Sequence, residues 1–300
     1  ADEKQKTSYP ALIASQKGKK EGGIDKEELE YIIFAHNFGE TSHDNIKADI
    51  VPSLAARLKQ KLGIKNPATV AYDVLFGCPG WLQCVIQADY YIRSGDAQKV
   101  LVVGAEVLSR ISDPHDRDSM IYADGAGAVV LEGRERDTPV GILGHNARTD
   151  AYLYAQMLHM GYSYNAELAS QKDLFIKMNG RRLYMYALDN VPKAIKAGLD
   201  KLGLHISQIK KVLIHQANGK MDDAILKRLY ELYDIDEAPE NVMPMTISKL
   251  GNSSVATLPT LYDYIINNQL EGHELNSGDL VVFASVGAGM SINSFVYQMP

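Results

Sequence analysis

Strand and helix signals meet in one short stretch, Val70-Ala71-Tyr72-Asp73-Val74-Leu75-Phe76-Gly77-Cys78-Pro79-Gly80-Trp81. The run Val70–Phe76 is mostly apolar and too short for a typical helix, which favours a strand buried on both faces. Pro79 suits the first position of a helix, where a missing N–H is no loss. This stretch therefore predicts a strand, a glycine-rich turn that carries Cys78, and a helix.

The same alternation continues along the chain and predicts an α/β protein with largely parallel strands. Further short apolar runs favour buried strands at Tyr31–Ala35, Val100–Gly104, Ala126–Leu131, Val212–Ile214 and Leu280–Val286. The stretches between them that favour helices are Pro52–Leu62, Pro79–Ile92, Arg181–Leu202 and Lys220–Tyr233.

A weak internal repeat indicates that this α/β unit is duplicated. Ser94-Gly95-Asp96 and Ser277-Gly278-Asp279 each follow a helical stretch and lead into an apolar strand, and a Gly-Ala-Gly sequence follows in both halves. The same order of signals in both halves favours a duplication. We therefore expect two halves, residues 1–150 and 151–300.

Composition narrows the class of protein. The 300 residues are 46% hydrophobic and 23% charged, which is typical of a globular chain, and the net charge of −6 disfavours nucleic acid as a partner. No apolar run approaches the roughly 18 residues of a membrane helix. The chain has two cysteines, Cys78 and Cys84, and so few in a long chain indicate a reducing compartment. We therefore expect a cytoplasmic protein. Two cysteines are also too few for a four-cysteine zinc site.

Cys78 is the first candidate for chemistry. A thiol at a helix N-terminus gains from the positive end of the helix dipole, which favours the nucleophilic thiolate. Gly77 and Gly80 would let a substrate approach the backbone closely. The alternative is a buried structural cysteine. Cys84 falls on another face of the same helix, and we expect it in the core.

His215 is the second candidate, in Leu213-Ile214-His215-Gln216-Ala217-Asn218 at another strand end. A histidine held by a strand can act as a base or a hydrogen-bond donor, although a satisfied core histidine remains the alternative. His36, also near a strand end, is its rival. The remaining histidines have polar or turn-like neighbours and are expected at the surface: His43, His115, His145, His159, His205 and His273.

Asn252 is the third candidate, in Gly251-Asn252-Ser253-Ser254 before an apolar helix that starts near Val255. The alternative is that Asn252 only caps this helix. In the duplicated scheme, however, it takes the place in the second half that Cys78 takes in the first. Turns at the carboxyl ends of parallel strands can bring Cys78, His215 and Asn252 together where the halves meet.

The motifs along the chain resemble those of the thiolase superfamily, specifically its β-ketoacyl-acyl-carrier-protein synthase III branch. The matching motifs are Gly77-Cys78-Pro79-Gly80, Val102-Val103-Gly104-Ala105-Glu106, Asp113-Pro114-His115-Asp116-Arg117-Asp118, Asp124-Gly125-Ala126-Gly127-Ala128, His215-Gln216-Ala217-Asn218, Gly251-Asn252-Ser253-Ser254 and Gly287-Ala288-Gly289. They run in the family's order from about Thr7 to the C-terminus.

The resemblance implies a thiolase-like α/β fold, a duplicated five-layer αβαβα arrangement with two mixed sheets. It implies an acyltransferase that condenses an acyl-CoA primer with malonyl-acyl-carrier protein and so initiates fatty acid synthesis. Cys78 would carry the acyl group, and His215 and Asn252 would stabilise the enolate formed by decarboxylation. The backbone N–H groups of Cys78 and Ala288 would form a second oxyanion site. No metal and no cofactor beyond the two thioester substrates is implied, and a homodimer is expected.

The resemblance also assigns binding residues. Arg117, Asn218 and Lys220 match positions that contact CoA or its pantetheine arm, and Lys220, Lys227 and Arg228 match positions for carrier docking. An ordinary solvated helix face is the alternative for these three. Arg181 stands where an amide is common, and Val286 where an aromatic side chain can occur.

Other interpretations stay open on the sequence. A condensing or acyl-transfer enzyme of secondary metabolism would keep the same three residues, and a non-catalytic subunit that pairs with an active partner is a further alternative. The family begins with a strand-helix-strand segment before the position of Thr7, and its first strand is expected in the centre of a sheet. We therefore expect a longer natural protein, and poor folding of the 300 residues alone.

Overall fold

The structure is a computed structural model, and it describes residues 6–42, 45–170 and 172–300, with the backbone alone at residues 42 and 45–47. Its strands are β1 Tyr31–Ala35, β2 Glu40–Ser42, β3 Asn45–Asp49, β4 Val70–Val74, β5 Lys99–Val107, β6 Asp124–Glu132, β7 Gly141–Thr149, β8 Leu158–Tyr162, β9 Leu174–Met178, β10 Ile209–Ile214, β11 Leu280–Gly287 and β12 Ser291–Gln298. Its α-helices are α1 Ser8–Gly22, α2 Leu54–Leu62, α3 Gly80–Ser94, α4 Ala151–Tyr154, α5 Ala166–Ala169, α6 Gly180–Lys201, α7 Gly219–Glu231, α8 Ile247–Leu250 and α9 Thr257–Ile266.

Two four-stranded sheets form the frame. The first has the order β4-β1-β5-β6 and the second the order β10-β11-β12-β7. β4, β1 and β5 are parallel and β6 is antiparallel to β5. In the second sheet only β10 and β11 are parallel. The sheets are therefore mixed. The expectation of largely parallel strands holds for β1, β4, β5, β10 and β11, but not for the predicted run Ala126–Leu131, which lies in antiparallel β6.

Helices cover both sheets and fill the space between them. α1 and α2 share a core with β1 and β5 on the outer face of the first sheet. α3 and α9 lie between the sheets, where Trp81 packs on Phe283 and Phe295 with ring centroids 6.2 and 6.5 Å away. α6 and α7 cover the outer face of the second sheet. This order of layers confirms the duplicated αβαβα arrangement.

The Ser-Gly-Asp tripeptides hold equivalent places in the two halves. Gly95 and Gly278 have φ of 80° and 87°, a left-handed conformation that glycine adopts without strain. Gly95 precedes β5 and Gly278 precedes β11. β5 and β11 each pair with one parallel and one antiparallel neighbour. The tripeptides therefore mark the duplicated unit, as the sequence indicates.

The division between the sheets differs from the expected boundary at residue 150. β7 begins at Gly141, yet it pairs with β12 of the second sheet along an antiparallel ladder. The change from one sheet to the other therefore lies between Glu132, where β6 ends, and Gly141. The predicted boundary is late by the length of β7, because a strand with a mixed polar and apolar sequence gives no strong strand signal.

The middle of the first sheet has no gap. All five residues of β1 pair with β4 on one side and with β5 on the other. The expectation that a central strand is lacking is therefore wrong, and the argument for poor folding loses its basis. The edges of this sheet that stay unpaired among the described residues are those of β4 and β6.

The predicted helices lie where the sequence placed them, with shifts at their ends. The helix expected from Pro52 begins at Leu54, because Ser53 Oγ accepts a hydrogen bond from Ala56 N–H and caps it. The helix expected from Val255 begins with a 3₁₀ turn over Ser254–Ala256 and continues as α9. None of the helices that the structure describes is both long and apolar enough to cross a membrane.

Candidate active site

Cys78 lies in the turn between β4 and α3, where the two halves of the chain touch. A Cβ atom on Gly77, which has φ of 66°, would come within 2.7 Å of the Ala288 nitrogen. A Cβ atom on Gly287 would come within 2.5 Å of the Cys78 nitrogen. Only glycine allows the two backbones to approach so closely. The turn at Gly287 therefore lies directly against the nucleophile candidate, and this contact places the backbones of Cys78 and Ala288 side by side.

A cavity of about 570 Å³ opens at this contact. Cys78, His215 and Asn252 all line it, although they come from turns far apart in the sequence. Ala288 lines it as well. The structure thus brings together the three predicted catalytic residues. Cys78 and His215 follow the carboxyl ends of β4 and β10, where ligands bind in α/β sheets, whereas Asn252 follows α8 and not a strand as expected.

The His215 ring is available to a substrate. Its backbone N–H donates to the Ala284 carbonyl at 2.8 Å, which fixes the turn after β10. Neither ring nitrogen has a hydrogen-bond partner among the described residues. Burial lowers the pKa of His215 to about 4. The imidazole is therefore neutral at physiological pH and can donate one hydrogen bond into the cavity.

The side-chain amide of Asn252 is oriented so that its Nδ2 group is left as a hydrogen-bond donor. Its backbone is clamped to the other half of the chain, with its N–H donating to the Ile121 carbonyl at 2.8 Å and its carbonyl accepting from Ala123 N–H at 2.9 Å. Its Oδ1 accepts from Ser254 N–H at 2.9 Å. This bond assigns the amide orientation and leaves the Nδ2 group as a donor. Asn252 does not cap α9, whose first turn has no side-chain capping bond.

The Cys78 thiol is held in a largely desolvated environment. Burial raises its pKa to about 11, the hydrogen bond from Ser254 lowers it, and the charge of Glu106 raises it. Ser254 Oγ lies 3.5 Å from Cys78 Sγ. Because thiolates need donors or positive charge nearby, the start of α3 and the Ser254 hydroxyl are the groups that favour ionisation here.

The other cysteine and the rival histidine are structural. Cys84 is fully buried in the core between the sheets, as expected. His36 is also buried, with Nε2 2.9 Å from an Asp73 carboxylate oxygen and Nδ1 accepting from Gly39 N–H at 3.1 Å. Both ring nitrogens are therefore occupied, and His36 has no free group for chemistry.

The remaining histidines are exposed or partly exposed, and His43 lies outside the described residues. His159 is exposed but also lines the cavity, which its polar sequence context did not indicate.

The predicted binding residues divide into two groups. Arg117 and Asn218 line the cavity, and so do Arg181 and Val286. Asn218 Oδ1 also caps α7 by accepting from the N–H groups of Lys220 and Met221.

The charged side chains of α7 lie outside the cavity. Lys220 is exposed in the first turn of the helix. Lys227 lies 3.9 Å from Glu231, and Arg228 lies 3.3 Å from Asp189, so the last two are each paired with an acid. This positive face is therefore weaker than the sequence indicates.

A hairpin that the sequence did not predict forms one wall of the cavity. β8 and β9 pair in antiparallel register and contribute Leu158, Met160, Ile176 and Met178 to the lining. Lys177 fastens this hairpin, because its Nζ lies 2.6 Å from Asp113 and 3.0 Å from Asp116. Asp116 immediately precedes Arg117 and Asp113 lies four positions before it, so one buried cluster connects the hairpin to the segment that carries Arg117.

Sequence reasoning also missed Asn37, whose side chain lines the cavity beside Gly77. Its partner Glu106 is fully enclosed at the end of β5. A charged residue that closes a buried apolar run was the signal available for Glu106, since such a residue needs a specific partner.

Known proteins match this chain over most of its length. Residues 72–151 match the family model 3-oxoacyl-[acyl-carrier-protein] synthase III, and residues 199–299 match the model of its C-terminal part. The β-ketoacyl-[acyl-carrier-protein] synthase III of Erythrobacter litoralis is 31% identical over 95% of this chain and 82% of its own length. The synthase III of Gloeobacter violaceus is 35% identical over 79% of this chain and 69% of its own length. The synthase III structure from Thermus thermophilus superposes with a TM-score of 0.83 at 28% identity, covering 100% of this chain and 86% of that one.

The chain belongs to the β-ketoacyl-[acyl-carrier-protein] synthase III family. It is an acyltransferase of the 3-oxoacyl-[acyl-carrier-protein] synthase III type, with the thiolase-like fold of that family. The reaction of this type is the initiating condensation of fatty acid synthesis. The alternatives of a secondary-metabolism enzyme or a non-catalytic subunit are not favoured by these relatives.

Proposed function

We propose that this synthase III first transfers an acyl group from acyl-CoA to Cys78. The thiolate attacks the thioester carbonyl, a new sulfur–carbon bond forms, the bond to the CoA sulfur breaks, and the released CoA takes up the proton that Cys78 gave up. The observation that carries this proposal is the position of Cys78 on the cavity at the start of α3, against the Gly287 turn. Backbone N–H groups of Cys78 and Ala288 are the donors for the developing oxyanion.

The second step in our proposal is condensation with malonyl-acyl-carrier protein. Loss of carbon dioxide leaves an enolate, whose carbon attacks the acyl group on Cys78 and expels the thiolate. His215 and the Nδ2 group of Asn252 donate to the enolate oxygen. Each such preorganised donor contributes about 3 kcal/mol to the transition state. A neutral histidine suits this role, since it keeps one N–H donor without adding a buried charge.

Substrate binding in this proposal uses the rim of the cavity. Arg117 and Asn218 contact the CoA phosphates and the pantetheine arm, with Lys220 just outside. The exposed side chains of Lys220, Lys227 and Arg228 on α7 dock the acidic carrier protein. Support comes from the lining of the cavity by Arg117 and Asn218 and from the exposed position of α7 beside it.

We further propose that the reaction needs no cofactor, since a thiolate, two side-chain donors and two backbone donors supply what both steps require. Among the described residues, no three His, Cys, Asp or Glu side chains are grouped as metal ligands. A chelator should therefore leave the rate unchanged. We also propose a cytoplasmic location, where a reducing environment keeps Cys78 as a free thiol.

A homodimer formed through the edge of β4 completes the proposal. β4 is an edge strand of the first sheet among the described residues, and two large apolar side chains near it, Val70 and Leu75, are 49% and 60% exposed. A two-fold axis at this edge would let the β4 strands of two protomers pair antiparallel. That arrangement satisfies edge hydrogen bonds and covers the exposed apolar surface.

Intact-protein mass spectrometry with a panel of acyl-CoA thioesters tests the assignment. We expect an acyl-sized increment on the wild type and on Cys84→Ala, and none on Cys78→Ala. The primer that gives the increment fastest identifies the natural substrate. An increment that persists in Cys78→Ala, or no increment with any acyl-CoA in a protein that binds CoA, would contradict the proposed first step.

A further inference from the structure

The side-chain hydrogen bond that the structure shows at Cys78 Sγ comes from a neutral group. His215 makes no hydrogen bond to any described residue, so it does not stabilise the sulfur in the free protein. The side-chain donor that the structure places on Cys78 Sγ is Ser254 Oγ, at 3.5 Å. Sulfur hydrogen bonds are longer than those to oxygen, and a hydroxyl at this distance is in reach of the thiolate.

Ser254 is held in place against its own backbone preference. Its φ is 53°, in the left-handed region that non-glycine residues rarely adopt. The bond from its N–H to Asn252 Oδ1 holds this conformation. Such strained positions persist where the surrounding structure fixes them and are frequent at functional sites. The conformation turns the hydroxyl toward Cys78.

Asn37 determines which way the Ser254 hydroxyl donates. Asn37 Nδ2 lies 3.3 Å from Ser254 Oγ and can only donate. The hydroxyl oxygen therefore accepts from Asn37, and its own proton is left for the sulfur. Asn37 Oδ1 accepts from Gly77 N–H at 2.8 Å, in the turn that carries the nucleophile.

Glu106 fixes the orientation of the Asn37 amide. Its carboxylate lies 2.7 Å from Asn37 Nδ2 and 3.1 Å from Asn37 N. Burial raises the pKa of Glu106 to about 7. Gly77 N–H can only donate, so the amide oxygen of Asn37 must face Gly77 and its amide nitrogen must face Glu106. A continuous chain of directed hydrogen bonds therefore runs from the buried acid to the reactive sulfur.

We propose that Ser254 is a further catalytic residue, whose hydroxyl donates to the Cys78 thiolate, and that Asn37 and Glu106 are its positioning residues. The inference rests on the proposed role of Cys78 as nucleophile. It explains why a polar network lies beneath a cavity whose wall is largely apolar. The network supplies a neutral donor at the sulfur and leaves His215 and Asn252 for the enolate.

The rate of Cys78 alkylation by iodoacetamide, measured by intact mass from pH 6 to 10.5, tests this inference without any acyl substrate. Ser254→Ala and Ser254→Gly remove the donor, and the glycine variant also relieves the backbone strain. We expect both to slow alkylation about ten-fold at each pH below about 10, where the rate follows the small thiolate fraction; this corresponds to a rise of about one unit in the pKa of Cys78. Asn37→Asp replaces the donor by an acceptor that draws the Ser254 proton away, and we expect a shift in the same direction.

Ser253→Ala is the matched control, because the Ser253 hydroxyl faces Thr257 Oγ1 at 3.4 Å instead of the sulfur. Its alkylation profile should equal that of the wild type. Thermal unfolding establishes that each variant is folded, and Ser254→Gly keeps the test valid if the alanine variant is not.

A wild-type alkylation profile in folded Ser254 variants would overturn the inference, even if their condensation rates fall, because the hydroxyl would then only shape the pocket. Failure of the proposed function is a separate result, namely a Cys78 that alkylates normally but takes no acyl group from CoA.

Discussion

The His215 ring lies in a desolvated cavity with both nitrogens unpartnered among the described residues, and its pKa of about 4 keeps it neutral. We predict that the condensation rate has no inflection from His215 between pH 5.5 and 7.5, since the ring is already deprotonated there. His215→Ala should lower the condensation rate 10²- to 10³-fold while acyl loading of Cys78 continues. Single-turnover measurements of each step check this. An inflection near pH 6.5 that disappears in the variant would show a histidine that ionises during catalysis.

Asp222 in α7 is a second buried group whose ionisation is unfavourable. It is fully enclosed, and neither carboxylate oxygen has a partner among the described residues. Burial, and then the charge of Asp223, raise its pKa to about 8. The folded protein therefore holds a proton that the unfolded chain has released, and stability falls as pH rises from about 4 to 8.

Asp222→Asn removes this titration. We predict that the stability of the wild type relative to this variant falls by at least roughly 1 kcal/mol between pH 5 and 8, as measured by urea unfolding. Asp236→Asn, at an exposed acid, is the control and should show no such trend. Equal pH dependence in wild type and Asp222→Asn would mean that Asp222 finds a partner or water in solution.

At the scale of elements, the β8–β9 hairpin depends on one cation. Lys177 contacts Asp113 and Asp116 and lies 3.7 Å from the centre of the Tyr164 ring. Burial raises the pKa of Asp113, but hydrogen bonds from Lys177 and from the backbone N–H groups of His115 and Tyr164 outweigh it and hold the pKa well below its usual range. Asp113 is therefore charged at neutral pH.

We predict that Lys177→Met destabilises the protein by about 3–5 kcal/mol, because it leaves two buried carboxylates without their cation. Denaturant unfolding measures this. Lys196→Met breaks a partly exposed pair with Asp200 and a contact of Lys196 Nζ with the Tyr233 ring, 4.8 Å from its centre, so both variants lose an ion pair and a ring contact. Because the Lys196 contacts are partly exposed, the loss should be only about 1 kcal/mol. A loss as small in Lys177→Met as in the control would show that the cluster contributes little to stability.

Elements with continuous apolar runs could be predicted from the sequence, and those with mixed faces could not. β1 and β11 are buried on both faces, and their apolar runs mark them almost to the residue. β12 is as deeply buried, yet it begins Ser291-Ile292-Asn293-Ser294, and its buried polar groups break the pattern. Asn293 is partly compensated, because its Nδ2 donates to Gln83 Oε1 across the layers at 2.8 Å, while its Oδ1 has no partner among the described residues. Such tertiary compensation has no signature in the local sequence.

At the scale of the whole molecule, the catalytic candidates were predictable because each is an exceptional polar residue in a turn before a helix, with Cys78 and His215 following strands and Asn252 following α8. Cys78, His215 and Asn252 interrupt apolar patterns, and the duplication places their turns at one meeting point. Asn37 and Ser254 are ordinary polar residues in ordinary turns. Their roles follow from a contact between the two halves. The two residues lie 217 positions apart in the sequence, and only the folded chain brings them together.

The unpaired edge of β4 leads to a prediction about the oligomeric state. Val70 N–H donates to the Glu30 carbonyl and the Val74 carbonyl accepts from His36 N–H, both toward β1. Because successive residues of a strand alternate in direction, Ala71 N–H points to the free edge. Ala71→Pro therefore removes an edge donor without breaking the ladder inside the sheet.

We predict that the wild type sediments as two protomers and Ala71→Pro as one, since the β4–β4 pairing across the two-fold axis loses its hydrogen bonds. Tyr152→Lys, at a side chain that is 98% exposed on α4, is the control and should leave the dimer intact. Analytical ultracentrifugation over a range of protein concentrations distinguishes the states. A dimer that survives Ala71→Pro and dissociates in Tyr152→Lys would place the interface at α4 instead. The apolar surface near β4 would then need another partner.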